Sequence, residues 1–405
     1  MLRVLLDVSP IGPRPESRTG LARVALSLAR ALACHPDVFL QTCVWGSLAA
    51  TADFEAVCRE FPKLRGLSAR PGMLERAYMA WHRTGRQPLP AFLWRRLGQM
   101  LNRSRNPLAG IDLGGFDVVH STYARFPRCL RGTPSPSVMT VHDLTPLRLP
   151  AAYFEPGQAA IKRRIIDGAR SASWVACVSQ STRNDFLDDS GFPAERAVVI
   201  PNGVDHEIFH PESDADFIRD VCRRYGVGTS PFVLTMSSLA PHKNLRMLVD
   251  TWNRCSAVKA GRLVIAGGRT TNPATLTHAL GLDANVNGLV LTGYLADHEF
   301  RALASACQAF LFPSLYEGFG LPVLEAMACG APAICANTTS LPEVVGEAGT
   351  LLGPDDGDAW AAAVLAALER HPRTTPCRAS LDRAALFSWN NVAAEYVRLY
   401  REAVS

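Results

Sequence analysis

Lysine is nearly absent from this chain: Lys63, Lys162, Lys243 and Lys259 stand among 42 basic residues, the rest being arginine. A lysine kept in a loop therefore draws notice. Also missing is any run of the roughly 18 apolar residues that a membrane span requires. The first residues, Met1 to Val8, already read as a strand carrying Arg3 and Asp7, so neither a signal peptide nor an anchor is expected. The loop after that strand lacks the Gly-x-Gly-x-x-Gly fingerprint, which argues against NAD. Eleven cysteines, an odd number, lie in apolar stretches such as Trp174–Val178 and Ala331–Ala336 without paired metal spacing. That disfavours a zinc site and suits free thiols in a reducing cytosol. A formal net charge of +5 over 405 residues is too small to imply nucleic acid.

What is present is a repeated alternation of apolar strand and amphipathic helix, in a chain too long for one core. Strands are expected at Leu2–Val8, Val38–Trp45, Phe116–His120, Val138–Val141 and Trp174–Val178, with helices at about Leu21–Cys34 and Glu155–Ala169 and a further one opened by the Ser179 hydroxyl. Pro201-Asn202-Gly203 makes a turn that closes this half. The pattern restarts with strands at Phe232–Met236, Arg262–Ala266, Leu289–Thr292, Ala309–Phe312 and Ala331–Cys335. The last helix, Trp389–Ala403, carries Val392, Tyr396, Leu399 and Tyr400 at helical spacing. This is an α/β chain of two similar halves.

Two stretches admit two readings each. Region 73–107 mixes Tyr78, Trp81, Phe92 and Trp94 with Arg83, Arg86, Arg95, Arg96, Arg103 and Arg105. It suits either a surface facing anionic lipid headgroups or a lipid-linked diphosphate, or a solvated helical hairpin with its tryptophans packed inward. Asp214-Ala215-Asp216 pairs two aspartates, but it follows the turn amid charged residues and reads as a solvated helix start, so no bound metal is expected.

The densest stretch is Ser314-Leu315-Tyr316-Glu317-Gly318-Phe319-Gly320-Leu321-Pro322-Val323-Leu324-Glu325. Pro322 sits where a first helical residue does without its N–H, and Gly330 supplies the stop. Gly318 and Gly320 bare the backbone at the positive end of a helix dipole, where an anion, most simply a phosphate, belongs. Glu317 and Glu325, expected in the loop and the first helical turn, bracket that site with hydrogen-bond acceptors for hydroxyls. A ribose on one side and a sugar ring on the other would use both.

This segment resembles the Glu, seven residues, Glu signature of the retaining GT-B glycosyltransferases of family 4, and Gly-Phe-Gly-Leu-Pro inside it makes the match specific. His142-Asp143-Leu144-Thr145-Pro146, at a strand's carboxyl end, resembles the mannosyltransferase-like members; Pro201-Asn202-Gly203-Val204-Asp205 resembles the family's interdomain linker. The resemblance implies two Rossmann-like doubly wound domains facing across a cleft: an acceptor-binding domain, 1–203, rejoined by a C-terminal helix at 387–405, and a nucleotide-sugar-binding domain, 204–386. It implies transfer of a hexose, with mannose and GDP-mannose as the best guesses, to a hydroxyl of a lipid-linked or oligosaccharide acceptor in bacterial surface polysaccharide synthesis. His142, Glu317 and Lys243 would be catalytic; Gly20, Ser238, Arg269, Tyr294, Gly318, Phe319, Gly320, Leu321 and Glu325 would complete the donor site. Many members carry a further cation before the lysine, which this chain lacks. No cofactor is implied. The protein would be cytoplasmic, with the 73–107 region as its contact with the inner membrane face. Two rivals remain: a nucleotide-sugar epimerase of the same fold, and a non-catalytic nucleotide-sugar-binding protein.

Overall fold

A computed structural model describes residues 1–11, 20–45, 47–61, 63–64, 66–67, 72–84, 91–104, 108–109, 111–123, 126–127, 130, 133–255, 261–268, 271–281, 286–369 and 375–405. Two parallel sheets organise it. The first holds β1 (Leu2–Asp7), β2 (Val38–Cys43), β3 (Gly66–Leu67), β4 (Val118–Ser121), β5 (Ser137–Val141), β6 (Trp174–Cys177) and β7 (Ala197–Val199), in the order β3-β2-β1-β4-β5-β6-β7. The second holds β8 (Phe232–Met236), β9 (Arg262–Ala266), β10 (Leu289–Gly293), β11 (Ala309–Phe312), β12 (Ala333–Ala336) and β13 (Thr350–Leu352), in the order β10-β9-β8-β11-β12-β13. Every residue of β4, β11 and β12 is buried, because helices cover both faces of a parallel sheet. In each sheet the order reverses next to the first strand, β1 or β8, and such switch points place ligands at the carboxyl ends of the strands.

The closing helix, Trp389–Val404, packs Val392, Tyr396, Val397 and Tyr400 into the core beneath the first sheet. A buried polar chain pins it there. His120 joins the Tyr400 hydroxyl at 2.6 Å and Thr140 Oγ1 at 2.9 Å, and Thr140 joins the Tyr396 hydroxyl at 2.8 Å. Burial holds the His120 pKa down to about 3, so a neutral ring fills the gap between strand and helix. The helix is therefore part of the first core although the whole second sheet comes between it and β7 in the chain.

Several short elements were not expected: β3, β13 and the helices Leu48–Glu60 and Arg378–Ala384. β2 ends at Cys43, and the short strand β7 (Ala197–Val199) precedes the turn at 201–203. Strands of two or three residues carry too little pattern to be read. In region 73–107 the helices Met73–Thr84 and Ala91–Ser104 form the helical pair, and Tyr78 and Met79 pack with Trp81, Leu97 and Leu101 onto Leu48 and Ala52. Met73, Leu74, Leu93 and Met100 stay exposed. Residues 86 and 105, and the side chains of Arg83, Phe92, Trp94, Arg95 and Arg103, lie outside the described residues. No helix among the described residues is long and apolar enough to cross a membrane. Asp214 accepts hydrogen bonds from the backbone N–H of Asp216 and Phe217 at 2.9 and 3.0 Å, which makes it the cap of a helix.

Candidate functional site

β11 delivers its carboxyl end into the cleft between the sheets, and residues 313–320 turn from it into the eight-residue helix Leu321–Ala328. Gly320 has φ 108°, a conformation that side-chained residues adopt only at a cost. Gly318 is required for another reason: a Cβ there would lie 1.8 Å from the His142 carbonyl oxygen and 2.8 Å from its carbon. The turn thus presses directly on the end of β5, across the cleft. Two hydroxyls of the first half fasten it: Ser179 Oγ donates to the Gly318 carbonyl at 2.8 Å and Thr182 Oγ1 donates to the same oxygen at 3.1 Å. Behind the turn, the Glu317 N–H donates to Thr339 Oγ1 at 3.0 Å, and Ser340 Oγ donates to the carbonyls of Glu317 and Phe319 at 3.0 and 2.9 Å. Asn244 and Thr339 are the two non-glycine residues with positive φ, 55° and 45°, among the described residues. Both border this turn, and strain of this kind collects at functional sites.

Lys243 ends the short turn Pro241–Lys243 above β8. Its Nζ donates to Glu317 Oε1 at 2.5 Å and lies 5.5 Å from the Phe312 ring centre. The turn is held to the glycine loop through the Leu315 N–H, which donates to the His242 carbonyl at 2.8 Å. Ser238 is exposed near this loop, and the Ala240 N–H points to its hydroxyl at 3.5 Å. Arg269 lies outside the described residues.

Glu325 sits in the second turn of its helix rather than the first, because that helix begins at Leu321. It is only 5% exposed, and burial pushes its pKa up to about 7 against the opposing pull of Arg23. Arg23 comes from the other half, from the helix Gly20–Cys34; its guanidinium lies 3.3 Å from Glu325 Oε1 and donates to Asp297 Oδ1 at 2.6 Å. The half-exposed Tyr294 ring and these three charged groups border one cavity of about 400 Å³. Gly20 opens the Arg23 helix, and a Cβ there would be 3.8 Å from Leu321 Cδ1. Two helix N-termini therefore converge from opposite sides of the cleft, and both dipoles favour an anion between them.

His142 ends β5. Its Nε2–H donates to the Thr122 carbonyl at 2.7 Å, and since a carbonyl only accepts, Nδ1 carries the lone pair. Burial lowers the His142 pKa to about 4, so the ring is a neutral acceptor at physiological pH. Asp143 does not orient it. That carboxylate instead takes Lys162 Nζ at 3.1 Å and the Thr145 N–H at 2.9 Å, and although desolvation alone would raise its pKa, Lys162 and Thr145 hold it below the usual carboxylate range.

The cleft thus gathers His142, Lys243, Glu317, Gly318, Gly320, Leu321 and Glu325, with Gly20 opposite. Phe319 is the exception: its side chain is buried in the second core, 6.0 Å from the Phe387 ring centre, which leaves only its backbone for the cleft. Sequence reasoning missed Arg23, Ser179 as more than a cap, and Thr182. A helical turn past Gly20 is a place where Arg23 could have been noticed; nothing in sequence foretells that Ser179 and Thr182 reach Gly318.

Residues 18–208 match the model of Glycosyltransferase Family 4, and residues 230–370 that of Glycosyl transferases group 1. O-antigen chain mannosyltransferase B of Escherichia coli is 30% identical over 268 residues, which cover 65% of this chain and 70% of that protein. A GDP-mannose-dependent alpha-(1-6)-phosphatidylinositol dimannoside mannosyltransferase of Mycobacterium tuberculosis is 30% identical over 252 residues, covering 60% of this chain and 62% of that one. Among solved structures, HepE of Anabaena in complex with UDP and glucose superposes with a TM-score of 0.64 at 18% identity, covering 98% of this chain and 99% of HepE.

Proposed function

We propose, from the premise that this chain belongs to the family 4 glycosyltransferases of the GT-B fold, that it transfers a mannosyl unit from GDP-mannose to a hydroxyl of a lipid-linked or oligosaccharide acceptor with retention of anomeric configuration. The observation that carries this reading is the Lys243–Glu317 pair, 2.5 Å apart, in which Glu317 belongs to the glycine turn that opens a helix and Lys243 to the turn after β8. It places a cation, helix-terminal N–H groups and a carboxylate together, as a diphosphate joined to a sugar demands.

On this reading the leaving diphosphate takes Lys243 as a point charge together with the N–H groups near Gly320 and Leu321. Fixed donors in a water-poor cleft stabilise developing charge without reorganising, so no metal ion is needed. Once Lys243 turns to phosphate, Glu317 is released to accept hydrogen bonds from hydroxyls of the donor sugar. Glu325 accepts from the ribose diol. His142 accepts from a hydroxyl of the same sugar through Nδ1. No side chain is placed as a covalent nucleophile; the acceptor attacks on the face the diphosphate leaves.

The first half, 1–203 with 387–405, would hold the acceptor and the second half, 204–386, the donor. The exposed Met73, Leu74, Leu93 and Met100, on a pair of helices rich in arginine, support peripheral attachment to the inner membrane face and a cytoplasmic site of action. The donor preference rests on the mannosyltransferase relatives, one of them described as GDP-mannose-dependent. The test is donor turnover with a panel of GDP and UDP sugars, in the parent protein and in Glu317→Ala and Lys243→Ala. Loss in both variants, and release of nucleotide only when an acceptor is added, supports transfer. Unchanged turnover in both removes the site.

A further inference from the structure

A second cavity of about 400 Å³ opens beside the cleft, lined by Tyr123, Asp143, Phe154, Ile161 and Lys162 of the first half and by His242 of the second. It is tied to the donor grip at two points. Asp143 follows His142 in the chain, and His242 precedes Lys243. An occupant would thus lie against the chain neighbours of the residue that reaches the donor sugar and of the residue that takes the diphosphate.

Its walls combine flat apolar faces with fixed polar groups. The Phe154 ring lies nearly parallel to the His242 ring, 6.0 Å between centres and 22° between planes. On the other side, Lys162 Nζ stands 5.6 Å from the Tyr123 ring centre and 3.1 Å from the Asp143 carboxylate. Lys162 is 7% exposed, so this pair is held rather than fluctuating at a surface. His242 Nδ1 has no hydrogen-bond partner among the described residues.

The charges decide the class of ligand. Lys162 and Asp143 cancel, and burial together with the neighbouring Lys243 lowers the pKa of His242, which leaves it neutral. No uncompensated cation among the described residues lines this cavity, and a phosphate would have to be desolvated there without a counter-charge. A ring with an apolar face and a rim of hydroxyls matches instead: the face lies on Phe154 or Tyr123, and the hydroxyls meet a carboxylate and an ammonium fixed in place.

We propose that this cavity seats the terminal sugar of the acceptor, an uncharged hexopyranose, and that it discriminates against phosphorylated acceptors. The inference rests on the transferase reading above. In the transfer, the acceptor oxygen forms its bond to the anomeric carbon of the donor sugar, the bond from that carbon to the diphosphate oxygen breaks, and the hydroxyl proton leaves on the departing diphosphate.

The test titrates methyl α-mannopyranoside and, separately, mannose 6-phosphate into the GDP-saturated protein, followed by saturation-transfer NMR. Three proteins are compared: the parent, Phe154→Ala, and the double variant Asp143→Asn/Lys162→Met, which removes both charges and leaves neither stranded. The expected result is binding of the methyl mannoside by the parent, about tenfold weaker binding by both variants, as for loss of a contact that anchors a ligand, and no competition from the sugar phosphate. GDP affinity, measured by calorimetry, should change less than about twofold. No binding of the methyl mannoside, equal binding by the variants, or tighter binding of mannose 6-phosphate overturns the proposal. Failure of both GDP and UDP to bind the parent would instead overturn the donor reading, so the two failures are separable.

Discussion

Replacing Gly318 by alanine tests the contact between the two halves at its tightest point. The added Cβ would stand 1.8 Å from the His142 carbonyl oxygen, where a carbon and an oxygen normally keep about 3.3 Å. The turn must therefore withdraw by about 1.5 Å, because the obstacle is backbone at the end of β5 and not a side chain that can swing away. Gly318 has no positive φ, so alanine meets no conformational strain of its own and the effect isolates the contact. Withdrawal breaks the hydrogen bonds from Ser179 and Thr182 to the Gly318 carbonyl, now 2.8 and 3.1 Å long. At about 1 kcal/mol net for each, the contact between the halves loses about 2 kcal/mol, a shift of roughly thirtyfold in the population of the arrangement in which they touch. A reacting geometry displaced by about 1 Å costs on the order of 100-fold in rate. The expected outcome is a fall of roughly 30- to 100-fold in kcat at saturating donor, with the melting temperature changed by only a few degrees, since both cores remain intact. Initial rates of transfer and a thermal melt measure the two quantities. Transfer within about threefold of the parent rate would refute the reasoning.

Arg23→Met removes a guanidinium that opposes the effect of burial on Glu325, whose pKa is already about 7. The carboxyl should then stay protonated to higher pH, and the pH profile of the donor KM should move upward; an unshifted profile would show that Arg23 does not govern Glu325. Ser179→Ala should cost less than Gly318→Ala, about fivefold in kcat for one lost hydrogen bond, because Thr182 still holds the Gly318 carbonyl; a larger loss would mean that Ser179 does more than fasten the turn. Asp7, fully buried at the end of β1 with Oδ2 unpartnered among the described residues, has its pKa pushed up by burial from 3.8 to about 7. The folded protein therefore keeps a proton that the unfolded chain has lost, and this contribution to stability falls as pH rises from about 4 through 7. Asp7→Asn should melt higher than the parent at pH 8 and show no gain at pH 4; equal melting temperatures at pH 8 would mean that the carboxyl costs nothing when ionised.

The glycine turn was legible because its constraints are local. Pro322 and Gly330 mark the ends of one short helix, and a turn that offers its N–H groups needs bare backbone wherever it occurs. The strands of four residues or more were legible for a similar reason, since strands buried on both faces read as continuous apolar runs. What sequence could not give is the set of contacts made across the cleft. Gly318 looked like a residue chosen for backbone access, but its tightest requirement is the His142 carbonyl on another sheet. Asp143 follows His142 in the chain, yet it is bound to Lys162, 19 positions away. Phe319 sits inside the motif yet faces the core, since side chains in a turn need not follow a period. Arg23 and Glu325 are brought together only by the meeting of two helices from different halves.

The account turns on where an activated sugar is gripped. A crystal structure of the protein with bound GDP-mannose, or with another sugar nucleotide that it turns over, addresses this directly. The pyrophosphate should lie between Lys243 and the N–H groups of residues 319–321, with Glu317 on the sugar and Glu325 on the ribose. A pyrophosphate bound away from that turn, with Lys243 still paired to Glu317, would contradict the account.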